Sequence, residues 1–154
     1  MYLAYYDSPI GLIEVGGTET AVSTLYFVEQ RHPEATSTPY LDEAIRQLAQ
    51  YFAQTRREFD LNLAPKGTDF QQTVWQQLLT VPYGRTVSYM DIANALDKPK
   101  AVRAVGAANG QNPISVIIPC HRIIGSNGKL TGYGGGLWRK EWLLRHEGGR
   151  GATE

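Results

Sequence analysis

Apolar residues recur every second position at the start of the chain and every third or fourth further on. Tyr2–Tyr6 and Leu12–Val15 flank the turn signal Ser8-Pro9-Ile10-Gly11, and Gly16-Gly17-Thr18 precedes the apolar stretch Val22–Val28. This pattern predicts antiparallel strands. Residues 30–39 are polar and hold Pro33 and Pro39, which reads as a loop. Leu41, Ile45, Leu48 and Phe52 then fall at helical spacing, predicting an amphipathic helix over residues 40–54, and Phe59, Leu61 and Leu63 alternate as a further strand.

A break at Ala64-Pro65-Lys66-Gly67 separates this part from the next, giving domains at 1–65 and 66–154. Thr68 or Asp69 caps a helix running to about Thr80, with Phe70, Val74, Trp75, Leu78 and Val81 facing a core. After the turn Pro82-Tyr83-Gly84, Ser88 and Asp91 make a variant capping box for a helix over Tyr89–Leu96. Asp97-Lys98-Pro99-Lys100 links it to a second helix, Ala101–Asn109, which stops at Gly110. Two short helices around such a turn match helix-turn-helix geometry, although helical hairpins of this kind are common. A last helix is expected over 137–146, with a carboxylate, Glu147, just beyond it.

The second helix of the pair is mostly Ala, Val and Gly, with Arg103 as its only charge. It lacks the Arg, Asn and Gln row that reads base edges in a major groove. A slim helix suits close approach to a narrow groove, and one arginine can occupy the gap left by an extruded base. Ordinary helix packing and a phosphate-contacting arginine account for the same residues.

The charge distribution adds to this picture. Net charge is zero, yet residues 1–80 carry five Lys/Arg against ten Asp/Glu, and residues 81–154 carry ten against five. That asymmetry points the C-terminal half towards an anionic partner or simply polarises the surface. The 154 residues suffice for one compact domain or two small ones. No apolar run approaches the ~20 residues of a membrane helix, and the N-terminus lacks the pattern of a signal peptide, so a cytoplasmic location is expected.

Cys120 is the only cysteine, which excludes an internal disulfide and any multi-cysteine zinc cluster. It closes the apolar run Ile114-Ser115-Val116-Ile117-Ile118 and stands within Pro119-Cys120-His121-Arg122. A thiol beside a base is how a sulfur nucleophile is built, but a lone cysteine is also a common packing residue. In an extended segment Cys120 and His121 would face opposite ways, so contact between them requires a tight turn or a bridging water. Glu147 is a candidate to orient the imidazole. Six glycines lie in residues 125–136 without any phosphate-binding spacing.

Taken together, the chain resembles the O6-alkylguanine-DNA alkyltransferase family, also called methylated-DNA–protein-cysteine methyltransferases. The residues that carry the likeness are Pro119-Cys120-His121-Arg122, Gly132-Tyr133-Gly134-Gly135-Gly136 and Lys140-Glu141-Trp142-Leu143-Leu144. Upstream they include Phe70-Gln71-Gln72-Thr73-Val74-Trp75, Pro82-Tyr83-Gly84, Arg103-Ala104-Val105-Gly106 and Asn109-Gly110-Gln111-Asn112-Pro113. The match spans about residues 67–148; residues 1–64 agree only in coarse layout.

The resemblance implies an α/β (α+β) fold, with a ribonuclease-H-like antiparallel-sheet domain followed by a winged-helix-like helix-turn-helix domain. It implies binding in the minor groove of double-stranded DNA containing O6-alkylguanine, by a monomer, and rotation of the damaged base out of the stack. Arg103 would fill the vacated position, and Ala104, Gly106, Ala107 and Asn109 would join it in binding DNA and flipping the base. Cys120 would take the alkyl group irreversibly in a single turnover, activated by His121, a water and Glu147, with Asn112 bracing the turn. Tyr89 would donate its hydroxyl to the guanine ring, where charge develops as O6 is released. The carbonyls of Cys120 and Ile123 would accept from the exocyclic amine, and Tyr133, Gly134 and Gly135 would wall the pocket. No cofactor is needed, since the lesion supplies the alkyl group, and no metal is expected.

Gly134 stands where many members have Ser, leaving only a backbone contact there. O4-alkylthymine remains open as a second substrate. Two other readings also remain open: a thiol hydrolase using Cys120, His121 and Glu147, and a DNA-binding module without transfer.

Overall fold

The computed structural model describes residues 2–148; Met1 and residues 149–154, the outer ends of the two expected domains, lie outside the described residues. The chain folds as two compact units, the first ending at Lys66 and the second beginning at Gly67.

In the first unit, β1 (Tyr2–Ser8), β2 (Gly11–Gly17) and β3 (Val22–Val28) form an antiparallel sheet in that order. The β1–β2 turn closes because Ser8 Oγ donates to the Gly11 carbonyl at 2.6 Å, while Gly11 adopts φ 118°, a conformation open to glycine. Ala4, Ile13, Val15, Val22 and Leu25 are buried. Helix α1 (Pro39–Phe52) packs on β1 and β2, burying Leu41, Ala44, Leu48, Tyr51 and Phe52. Pro39 belongs to the helix and not to the loop: it takes the first turn, where its missing N–H costs nothing, and Thr38 caps it by accepting from the Leu41 N–H at 3.1 Å.

The strand expected over Phe59–Leu63 is absent. Only a parallel bridge, Val22 with Leu63, forms, through Val22 N–H to the Asn62 carbonyl at 2.9 Å and Ala64 N–H to the Val22 carbonyl at 2.7 Å. Alternation alone does not make a strand where the partner edge offers so few pairing groups.

In the second unit, α2 (Asp69–Leu78), α3 (Tyr89–Ala95) and α4 (Val102–Gly110) pack on one another. Thr68 with Gln71, and Ser88 with Asp91, close reciprocal capping boxes on α2 and α3. Trp75 is buried, and its indole N–H donates to the Ala108 carbonyl at 2.9 Å, fixing α2 against α4. Between α3 and α4 the chain turns through Asp97 at φ 57° and one 3-10 turn, Pro99–Ala101. Strands β4 (Val87–Ser88) and β5 (Ile123–Ile124) form a two-residue parallel ladder, and α5 (Leu137–His146) completes the unit. Among the described residues, no helix is long and apolar enough to cross a membrane.

Candidate active site

The segment that carries Cys120 is not a strand. Asn112 is buried and braces it at two points: its side-chain amide donates to the Ile118 carbonyl at 2.8 Å, and its Oδ1 accepts from the Ile114 N–H at 2.9 Å. Between these points the chain folds into a tight turn, with Ile118 N–H bonded to the Ile114 carbonyl at 3.0 Å and Val116 held at φ 70°. A β-branched residue in that left-handed region stores about 1–3 kcal/mol of strain, which the Asn112 brace must hold in place. Cys120–Arg122 then form one 3-10 turn. Successive side chains on such a turn diverge by roughly 120° and not by the 180° of a strand.

His121 is fully buried, and its Nε2 lies 2.8 Å from Glu147 Oε2. A carboxylate only accepts, so Nε2 carries the proton and Nδ1 presents a bare lone pair. Nδ1 is buried without a hydrogen-bond partner among the described residues. Arg122 grips the same carboxylate, with Nε at 2.8 Å from Oε1 and Nη2 at 3.0 Å from Oε2, while its Nη1 donates to the Val81 carbonyl at 2.8 Å. Burial alone would raise the pKa of Glu147, but the His121 and Arg122 contacts outweigh it and hold the carboxyl well below the usual carboxylate range. Burial dominates at His121 and lowers its proton affinity, against the pull of Glu147. The pair therefore rests as neutral imidazole and carboxylate, with the imidazole poised as a base.

Cys120 is 4% exposed, and burial pushes its thiol up to about 11, although the Asn112 side chain and the Lys140 charge work in the other direction. The resting sulfur is thus a thiol that needs a base. Lys140, on the inner face of α5, is completely buried, which lowers its pKa to about 8 despite the opposing influence of Cys120. Its Nζ donates to the Thr131 carbonyl at 3.3 Å and to Thr131 Oγ1 at 3.4 Å, and Thr131 Oγ1 is in turn hydrogen-bonded to the Tyr89 hydroxyl.

The structure thus brings His121 and Glu147 together across 26 positions of sequence and places Asn112 directly beneath the turn. On α4, Arg103, Ala104 and Ala107 are exposed, and the ring of Tyr89 lies against Gly106, where an added Cβ would sit 3.7 Å from it. Asn109, on the same helix, is only 4% exposed, and its Oδ1 is buried without a hydrogen-bond partner among the described residues. Ile123 is buried in β5, while Gly134 is exposed and Gly135 half-buried in the loop before α5. That loop is tied by Gly136 N–H to the Tyr133 carbonyl at 2.9 Å and by Arg139 Nη1 to the Gly135 carbonyl at 2.8 Å. Sequence reasoning assigned no role to Arg122, Thr131 or Lys140. Lys140 had a readable signal: it lies three and four residues before Leu143 and Leu144, on the apolar stripe of its helix.

Two family models cover the chain: 6-O-methylguanine DNA methyltransferase, ribonuclease-like domain, over residues 1–65, and 6-O-methylguanine DNA methyltransferase, DNA binding domain, over residues 69–149. The chain is 47% identical to a methylated-DNA–protein-cysteine methyltransferase of Methanosarcina acetivorans, the alignment covering 96% of this chain and 99% of that one. It is 48% identical to the protein of the same name from Mycobacterium tuberculosis, over 96% and 93% of the two chains. The crystal structure of M. tuberculosis O6-methylguanine methyltransferase superposes with a TM-score of 0.87 at 47% identity, over 99% of this chain and 96% of that one. M. tuberculosis OGT in complex with DNA gives a TM-score of 0.88 at 48% identity, over the same shares.

Proposed function

The chain belongs to the 6-O-methylguanine DNA methyltransferase family, and from that membership we propose that it repairs DNA by moving the alkyl group of an O6-alkylguanine onto Cys120. The observation that supports this best is the bare Nδ1 of His121, fixed as a base by Glu147 one residue from the only cysteine of the chain. His121 takes the thiol proton through a water, and Glu147, held by Arg122, stabilises the imidazolium that results. The Cys120 thiolate attacks the alkyl carbon, the carbon–O6 bond breaks, and the electron pair leaves on the guanine. Tyr89 donates a hydrogen bond to the ring as that charge develops.

Guanine O6 sits on the major-groove edge of the paired base, so for a protein approaching by the minor groove the base must leave the stack to meet a buried sulfur. The exposed face of Arg103, Ala104 and Ala107 suits a close approach to the minor groove, with Arg103 filling the space left by the base. Tyr133, Gly134, Gly135 and the Ile123 carbonyl line the receiving pocket; at Gly134 only backbone is available. The product is a thioether with no hydrolytic route among these side chains, so each molecule acts once. We assign the protein to the cytoplasm, where a solitary thiol stays reduced, acting as a monomer on double-stranded DNA.

The test is to incubate the protein with a duplex containing O6-methylguanine and to map the peptide masses. One added methyl on the Cys120 peptide, with repaired guanine in equal amount, is the expected result. An unmodified Cys120 beside an intact lesion refutes the proposal, and catalytic turnover of an ester or amide would favour a thiol hydrolase.

A further inference from the structure

A second hydrogen-bonded chain, separate from His121 and Glu147, ends on the Tyr89 hydroxyl. Lys140 is completely buried and, among the described residues, has no carboxylate partner; its ammonium donates to the carbonyl and hydroxyl of Thr131 and lies within electrostatic reach of the Cys120 thiol. An enclosed charge is costly, and an apolar residue would fill that place on α5 without the cost. Thr131 Oγ1 is simultaneously bonded to the Tyr89 hydroxyl. In that hydroxyl pair either oxygen is able to donate, so geometry alone leaves the direction undecided.

The ammonium biases it. Lysine has three donors and no acceptor, so Thr131 Oγ1 accepts from Nζ with one of its two lone pairs. The adjacent positive charge makes that hydroxyl a better donor than acceptor for its remaining bond, which favours the arrangement in which its proton turns to the Tyr89 oxygen. The proton of Tyr89 is left to face away from Thr131, and a positive charge at the far end polarises each bond of the chain in the same sense. Burial makes Lys140 a more acidic donor than a solvated lysine, which strengthens that polarity. On the other side, the ring of Tyr89 lies alongside Gly106 of α4, where an added Cβ would meet it in ordinary van der Waals contact.

We propose that Thr131, backed by Lys140, is a positioning residue for alkyl transfer, holding the Tyr89 hydroxyl as acceptor of the Thr131 proton so that the Tyr89 proton is aimed at the departing guanine. This rests on the reading above in which Tyr89 donates to the base. In this role Thr131 acts through Tyr89.

Single-turnover transfer from an O6-methylguanine duplex, at saturating DNA, separates the possibilities. Thr131→Val keeps the shape and removes the hydroxyl; its saturating rate constant should fall about three- to ten-fold, the worth of one neutral hydrogen bond, with DNA affinity unchanged. Thr131→Ser should restore the parent rate, which a purely structural role for the threonine methyl would not allow. In a Tyr89→Phe background Thr131→Val should have no further effect. A Thr131→Val protein as fast as the parent while Tyr89→Phe is slow, or a Thr131→Val defect of equal size in both backgrounds, overturns the positioning role and leaves the Tyr89 reading intact. A Tyr89→Phe protein that transfers at the parent rate removes both.

Discussion

Changing Glu147 to Gln tests the buried centre of the site, because it alters charge and almost nothing else. Glu147 accepts from His121 and, twice, from Arg122, with its side chain fully buried and that of Arg122 only 8% exposed. The amide oxygen, placed at the Oε2 position, still accepts from His121 and from Arg122 Nη2, while its N–H₂ turns towards Arg122 Nε. Arg122 is left as a buried cation without its countercharge and with one N–H facing an N–H₂ group. Breaking one side of such a pair costs about 3–5 kcal/mol, which for a chain of this size lowers the midpoint by about 6–20 °C. All three tryptophans, Trp75, Trp138 and Trp142, lie in the second unit, so thermal unfolding followed by their fluorescence reports on the right part of the chain. Removing the cation as well should recover most of the loss: Arg122→Met with Glu147→Gln leaves the Val81 carbonyl unpaired, a residual cost of about 1 kcal/mol. A Glu147→Gln midpoint within about 2 °C of the parent, or a double variant as unstable as the sum of the two single changes, would show that the ion pair does not carry this energy.

Three further expectations follow from the same structure. His121 binds its proton less readily when folded, so the unfolded chain protonates first, near its ordinary pKa of about 6.5. Stability should therefore drop as pH falls below that value, and again below about 4.3 as unfolded Glu147 takes up a proton its folded carboxylate refuses; urea midpoints at pH 7.5, 5.5 and 4 check this, and a flat profile contradicts it. An added Cβ at Gly17 would lie 2.2 Å from the Ala21 carbonyl oxygen, so Gly17→Ala should destabilise the first unit by about 1–3 kcal/mol, whereas Gly110→Ala, with nothing within 4 Å, should be neutral or mildly stabilising by circular dichroism. Arg103→Ala should slow transfer from duplex DNA at least tenfold and leave the reaction with free O6-methylguanine base within about twofold, because the base alone has no stack to leave; equal slowing on both substrates would argue against a role in extrusion.

Much of the fold is written in short-range signals. Val22–Val28 and Leu137–His146 form over the same residues that their periodicity marks, and Ser88 with Asp91 caps α3 as the spacing implies. Strand alternation, helical spacing and capping act within a few residues, and neighbouring side chains suffice to specify them. The candidate site was legible as a set of names, Cys120, His121, Asn112, Tyr89 and Glu147, through an ordered motif. What that motif left undecided was direction. Ile114–Ile118 carries the composition of a strand, yet Asn112 bends it into a turn with Val116 strained, and this bend stops Cys120 and His121 from facing opposite ways. Phe59–Leu63 alternates like a strand and finds only a single bridge. Arg122 at the Glu147 carboxylate, and Lys140 behind Thr131 and Tyr89, depend on segments far apart in sequence meeting in a dry interior. Local signals specified the three N-terminal strands and most of the helices, and the chain offers one thiol. Which donors face which acceptors was settled by tertiary packing, because hydrogen-bond polarity and the cost of a buried charge depend on what surrounds each group.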